Sequence, residues 1–254
     1  LKEAKTVLDQ RAKVRFEKEL AEHEQKLAER ETKEKKTGRK PRGKAPKPPE
    51  PGPRPKDQYN FTDPESRIMK CGGSFEQCYN FQAVVEVGTM LIVGGFVTNA
   101  PNDKEQLGPL VEAISPVVGD VENVLVDNGY YSEKGVTEVE NDGQGPTVYA
   151  AVKRTPHGRS VTQLEEHPDP EAPHLPGATV AEIMAHRLET KAGRALYKLR
   201  KETVEPVFGI IKEVLGFRRF MLRGEEKVGI EKDLLTSSFN LKRLYHLGMT
   251  IPTR

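Results

Sequence analysis

Between Lys35 and Asp57 the chain reads KKTGRKPRGKAPKPPEPGPRPKD, a basic run of Pro and Gly opposed only by Glu50 and Asp57. Proline fixes φ and supplies no backbone donor, so neither a helix interior nor an inner strand can pass through such a run. It also has too few apolar side chains to bury, which predicts a disordered or extended segment. The run therefore divides the chain into four stretches. These are a charged helical arm over 1–34, the basic linker over 35–57, a folded domain over 58–247 and a short tail over 248–254. Two roles stay open for the linker. It is a solubilising spacer, or an arm that follows a phosphate backbone by releasing counterions.

Residues 1–34 contain no Gly or Pro. Val7, Leu8, Phe16, Leu20, Leu27 and Ala28 form an intermittent apolar stripe, which reads as one long solvated helix or a weak helical hairpin arm. Glu17, Glu19, Glu22 and Glu24 sit among Lys and Arg, and such near neighbours support a helix. The heptad is too irregular to assert a coiled coil. With 35% hydrophobic residues and no Trp in 254 residues, the chain can bury one core and carry an appendage. The net charge of +2 hides an uneven distribution. Cys71 and Cys78 lack a second ligand pair, so they read as ordinary thiols of a reducing cytosol and not as a zinc site. No apolar run approaches the roughly 18 residues that a membrane span needs. A start at Leu1 is read as a fragment or a trimmed beginning.

The core reads as alternating strand and helix. Tyr79, Phe81, Ala83, Val85 and Val87 alternate with polar residues, as in a half-buried strand. A turn at Gly88-Thr89 leads to a second strand at Met90–Val93 and Phe96–Val97, with a possible bulge at Gly94-Gly95. The preceding YNFTDPESRIMKCGG reads as a turn-rich entry. Asn102 or Asp103 is placed to cap a helix carrying Leu107, Leu110, Val111 and Ile114, with Pro109 near its start. Val124–Val126 is a continuous apolar run, read as a strand buried on both faces. Next come a helix over 132–140, a strand over 147–152, a loop over about 154–177 and helices over about 178–215 and 225–247. The expected class is α/β.

Two carboxylates stand out. Asp127 closes the Val124–Val126 strand, where open α/β sheets place ligands; the plain alternative is a turn Asp capping the helix after it. Glu205 lies in YKLRKETVEPVFGIIK (197–212), a helical pattern that groups it with Phe208 and Lys212 on one face, Lys201 above them. That stretch is either a salt-bridged surface helix or a metal-binding carboxylate beside a polyanion. Arg218, Arg219 and Arg223 extend the basic character. Pro206 predicts a kink or restart at Glu205. Asp103 reads as a helix cap, and His157, His167 and His174 as loop residues without metal spacing.

Taken in order, NFTDPESRIMK (60–70), VTNAPNDKEQL (97–107), VDNGYYS (126–132) and RKETVEPVFGIIKEVLGFRRFMLRG (200–224) resemble the catalytic domain of bacterial insertion-sequence DDE transposases over about 58–247. The resemblance implies an RNase H-like fold and three acids holding two Mg2+ (or Mn2+) ions. It puts the second Asp on Asp127 and the Glu on Glu205, and matches the family's Tyr-Arg-Glu-Lys signature to Tyr197, Arg200 or Lys201, Glu205 and Lys212. The first acid falls on no strand here. It is expected upstream, with its strand, and Asp63 is the substitute considered. Residues 1–57 are then an insertion between the first two strands.

The activity so implied is DNA cleavage and strand transfer at insertion-sequence ends. Asp127 and Glu205 would be the catalytic metal ligands, and Arg200, Lys201, Lys212, Arg218, Arg219 and Arg223 the DNA contacts. Double-stranded transposon-end and target DNA, a possible homodimer and a cytoplasmic, nucleoid-associated bacterial protein belong to the same expectation. A non-catalytic nucleic-acid-binding remnant and a related nuclease remain as alternatives.

Overall fold

The N-terminal arm is one α-helix, α1 (Lys2–Thr37), 36 residues long. It ends where Gly38 turns into the left-handed region at φ 65° and donates its N–H to the Glu34 carbonyl. Glycine reaches that conformation without a Cβ penalty. In this computed structural model, residues 1–40, 43–71, 73–152 and 177–248 are described, and contacts divide the chain into two units, Leu1–Pro64 and Glu65–Arg254. The expected loop around His157, His167 and His174 lies outside the described residues.

Of the residues of α1, Ala4 and Ala12 alone are buried. The helix is held by polar contacts with the Pro-rich segment, which runs back along it. Arg30 donates to the carbonyl of Gly43 (3.0 Å), and His23 to that of Pro46 (3.2 Å). Arg15 donates to the carbonyl of Gly52 (3.1 Å) and pairs with Asp57 (2.7 Å). Glu19 pairs with Arg54 (2.6 Å). The spacing is physically consistent. Roughly nine extended steps from Gly43 to Gly52 cover about 28 Å, close to the about 22 Å of roughly fifteen helical steps from Arg30 back to Arg15. The linker is thus extended, as composition predicts, but it is a strap and not a free tether.

Asp57 anchors that strap. The hydrogen bond from Arg15 holds its carboxyl below the ordinary value, aided by the Arg54 N–H at 2.7 Å and opposed by desolvation. A carboxyl lowered in the folded state contributes stability above its unfolded pKa of about 3.9, and that contribution is lost as pH falls through the lower folded value. The helical circular-dichroism signal should therefore fall on acidification below about pH 4. Asp57→Asn should start lower at neutral pH and show a smaller acid-dependent loss.

The second unit is mixed α/β with small sheets. It begins with a hairpin, β1 (Arg67–Cys71) and β2 (Ser74–Cys78), where the sequence reads as turns. The hairpin is largely exposed, so cross-strand pairing and not burial defines it, and burial periodicity gave no signal. Strands β3 (Asn80–Val85) and β4 (Ile92–Thr98) form the expected antiparallel hairpin. Its register shifts at Val84/Val85, opposite Gly94. A Cβ on Gly94 would stand 2.5 Å from the Ala113 carbonyl oxygen, and one on Gly95 2.4 Å from that of Gln82. The bulge therefore needs both glycines.

Helix α2 (Leu107–Glu112) leads to β5 (Asn123–Val126), then α3 (Glu133–Glu140), capped by Ser132, and β6 (Thr147–Ala150). β5 and β6 pair in parallel. Only Val126 of β5 is buried, and among the described residues the strand has a single hydrogen-bonded neighbour; the expectation of burial on both faces is corrected. Helices α4 (Val180–Glu189), α5 (Lys191–Gly209) and α6 (Glu225–His246) complete the unit. One core gathers Leu107, Val126, Val136, Val148, Ala150 and Met184; another gathers Ile92, Val207, Ile211, Leu235 and Phe239. Among the described residues no helix is long and apolar enough to cross a membrane.

Helix α6 also closes the edge of β4. Asn240 accepts from the Ile92 N–H (2.9 Å) and donates to the Ile92 carbonyl (2.8 Å), as a neighbouring strand would. Arg243 and Lys232 donate to the carbonyls of Thr89 and Gly95. Asn240→Ala leaves two backbone groups unpaired in a partly buried place. It should lower stability by about 2–3 kcal/mol in chemical denaturation.

Candidate active site

Asp127 comes directly after β5. Its Oδ1 accepts the N–H of Asn128 (2.8 Å), capping a single 3-10 turn, Asn128–Tyr130. The capping role and an exposed carboxylate coexist, since its side chain remains 63% exposed. The turn is fastened on both sides. Asn128 Nδ2 donates to the Ala151 carbonyl (2.5 Å), and the Tyr130 hydroxyl donates to Gln82 Oε1 on β3.

Helix α5 reaches this strand end with two residues. The Tyr197 hydroxyl donates to the Val126 carbonyl (3.1 Å), and burial pushes that phenol above its ordinary pKa. Arg200 lies over the Tyr197 ring (5.5 Å) with its Nη1 3.9 Å from Asp127 Oδ2, too long for a hydrogen bond but close enough for charge pairing. Its side chain is only 16% exposed, and among the described residues its Nε has no hydrogen-bond partner. Arg200 is thus folded against Asp127 and Tyr197, whereas Lys201 is exposed.

Farther along α5, Phe208 packs edge-on against Phe81 of β3 (5.7 Å), and Lys212 Nζ stands 5.9 Å above the Phe208 ring. Glu205 lies between Tyr197 and Phe208 along the helix and is exposed. No hydrogen bond or ion pair joins it to Asp127, and among the described residues no three His, Cys, Asp or Glu side chains converge as a metal site. Asp63, the substitute first acid, is buried in the other unit.

Of the expected kink or restart at Pro206, the restart does not occur. α5 stays α-helical through Pro206 and passes into a π-helical turn at Ile210–Val214. Thr203 (3% exposed) and Val207 (fully buried) anchor the helix on both sides of the proline, so the loss of one exposed hydrogen bond does not break it. Beyond the π turn, Arg218 pairs with Glu213 (2.5 Å), and Arg219 and Arg223 are exposed. The N–H groups of Met221 and Leu222 are held by the Glu231 carboxylate.

Asp103 is not the cap expected of it; Gln106 occupies the N-cap of α2. Its Oδ1 instead accepts from Asn80 Nδ2 (2.8 Å) and Gln82 Nε2 (2.7 Å). Gln82 is 1% exposed and also receives the Tyr130 hydroxyl. Burial first, then Asp103 and Asp127, push the Tyr130 phenol far above its ordinary pKa. The β3–β4 hairpin is thereby linked to the turn that carries Asp127.

Residues 173–245 match the model of the family described as Transposase DDE domain. That span contains Tyr197, Arg200, Lys201, Glu205, Lys212 and the three later arginines, but not Asp127. No curated protein and no solved structure matches the chain.

Proposed function

We propose that this chain is the catalytic portion of an insertion-sequence DNA transposase, taking as premise that residues 173–245 match the model of the family described as Transposase DDE domain. The observation that carries the reading is the placement of α5. It carries Glu205 between a contact to the Asp127 strand end, through Tyr197, and a contact to β3, through Phe208. Among the described residues β3 pairs only with β4, and β5 only with β6, while both pairs pack on this helix. In the RNase H-like arrangement we propose, a further strand sits between the two pairs and carries the remaining acid.

The carboxylates of Asp127 and Glu205 are hard oxygen donors suited to Mg2+ or Mn2+. Since no three-ligand group forms among the described residues, these two carboxylates would supply part of a two-ion site. Such ions, when bound, activate an attacking oxygen and stabilise the leaving oxygen of a phosphodiester. The protein's own contribution is positioning. The Asn128 N–H fixes one oxygen of Asp127, and Arg200 offsets charge on the other. Lys201, Lys212, Arg219 and Arg223 offer cations to duplex DNA along an open face.

The test is incubation with duplex DNA bearing insertion-sequence ends and Mg2+. Nicked and strand-joined products support the proposal. Cleavage without joining replaces it with a nuclease. Salt-dependent binding without either product replaces it with a non-catalytic DNA-binding protein.

A further inference from the structure

We propose that the helical arm is a braced lever whose far end is a separate phosphate-backbone contact for duplex DNA, an inference that rests on the DNA reading above. The charge pattern along the arm is the first ground. From Lys2 to Glu31, eight Lys and Arg are offset by eight Asp and Glu, whereas from Lys33 to Lys44 seven Lys and Arg face the single Glu34. The arm body is neutral and its end is strongly basic.

Pairing is the second ground. Along the body, Arg15, Arg54 and Lys26 engage Asp57, Glu19 and Glu22. At the end, Lys33, Lys35, Lys36, Arg39, Lys40 and Lys44 are all exposed, and no ion pair among the described residues engages them. Uncompensated cations crowded around one turn repel each other and gain by meeting a polyanion.

Bracing is the third ground. Among the described residues the strap fastens the arm as far as Arg30, through the carbonyls of Gly43 and Lys44, and Lys33, Lys35, Lys36, Arg39 and Lys40 lie beyond that point along the chain. A helix of 36 residues at about 1.5 Å per residue spans about 54 Å. A fastened strap loses less conformational entropy on binding than a free basic tether would. The Pro-rich stretch therefore acts as the brace, and the phosphate contact is confined to the six described cations at the end of the arm.

The experiment measures binding of the full chain to a short duplex of arbitrary sequence between about 50 and 200 mM salt. Replacing the six exposed end cations by Ala should lower the slope of log affinity against log salt by about 2–4, at about 0.9 per phosphate contact. The corresponding Lys→Arg variant should keep the slope. Duplex DNA should also protect Lys35, Lys36 and Lys40 of the unmodified protein from acetylation, a readout independent of how any variant folds. If the parent binds with salt dependence but its slope survives the Ala replacement, or these lysines stay reactive, the lever is overturned and the DNA reading stands. If the parent shows no salt-dependent binding at all, the DNA reading itself falls.

Discussion

Glu205→Gln should reduce metal-dependent DNA cleavage by roughly a thousandfold or more, about 4 kcal/mol of transition-state stabilisation. The change keeps the shape of the side chain and removes only its charge. Glu205 is exposed on α5, has no hydrogen-bond or ion-pair partner among the described residues and sits beside the buried anchors Thr203 and Val207. Thermal stability and DNA affinity should therefore stay near those of the parent, which separates a chemical role from a folding one. Lys212→Ala should behave differently, weakening binding and lowering the salt slope by about one. Cleavage that survives Glu205→Gln at the parent rate would remove Glu205 from the chemistry.

The features legible in the sequence were the local ones. The β3 alternation, the hairpin to β4 with its Gly94-Gly95 bulge, the helix over 132–140 and the helical period of α5 each depend on residues within a few positions. The hidden ones depend on partners far along the chain. The Pro-rich run looks free because its fastening groups, Arg15, His23 and Arg30, belong to α1 and reach backbone carbonyls that no composition rule reports. Proline lacks an N–H but keeps its carbonyl, so such a run has more backbone acceptors than backbone donors.

The second carboxylate shows the same limit. Asp127 was readable as a strand-end acid, and its strand end is where it lies. Its coupling to Arg200 and Tyr197 could not be read, because the long intervening chain had to fold before α5 met β5. The local rule for the residue before proline points to a kink or restart at Pro206; the helix instead continues through it to Gly209, with Thr203 and Val207 buried on either side. Asn80 and Gln82 were read as the solvent side of a half-buried strand. In the fold that side is covered by the loop that bears Asp103, so β3 is packed on both faces.

Asp103→Ala should then be among the most destabilising single changes in the second unit, at about 2–5 kcal/mol. One carboxylate oxygen receives two side-chain amides, and the Gln82 amide is 1% exposed, so water cannot replace the lost acceptor. Each buried donor left unpaired costs about 1–3 kcal/mol, more than the net gain of an ordinary hydrogen bond. Asp103→Asn keeps an acceptor oxygen in place and should recover most of the loss in chemical denaturation. The effect should also reach the site. Gln82 holds the Tyr130 hydroxyl, and Tyr130 closes the turn that begins at Asp127. Releasing that chain of contacts should make the amides of Asn128–Tyr130 exchange faster with solvent, while those of α6 keep their protection. Equal loss of protection in both places would mean that Asp103 supports the unit as a whole and not this turn. The link from β3 to Asp127 would then carry no specific function.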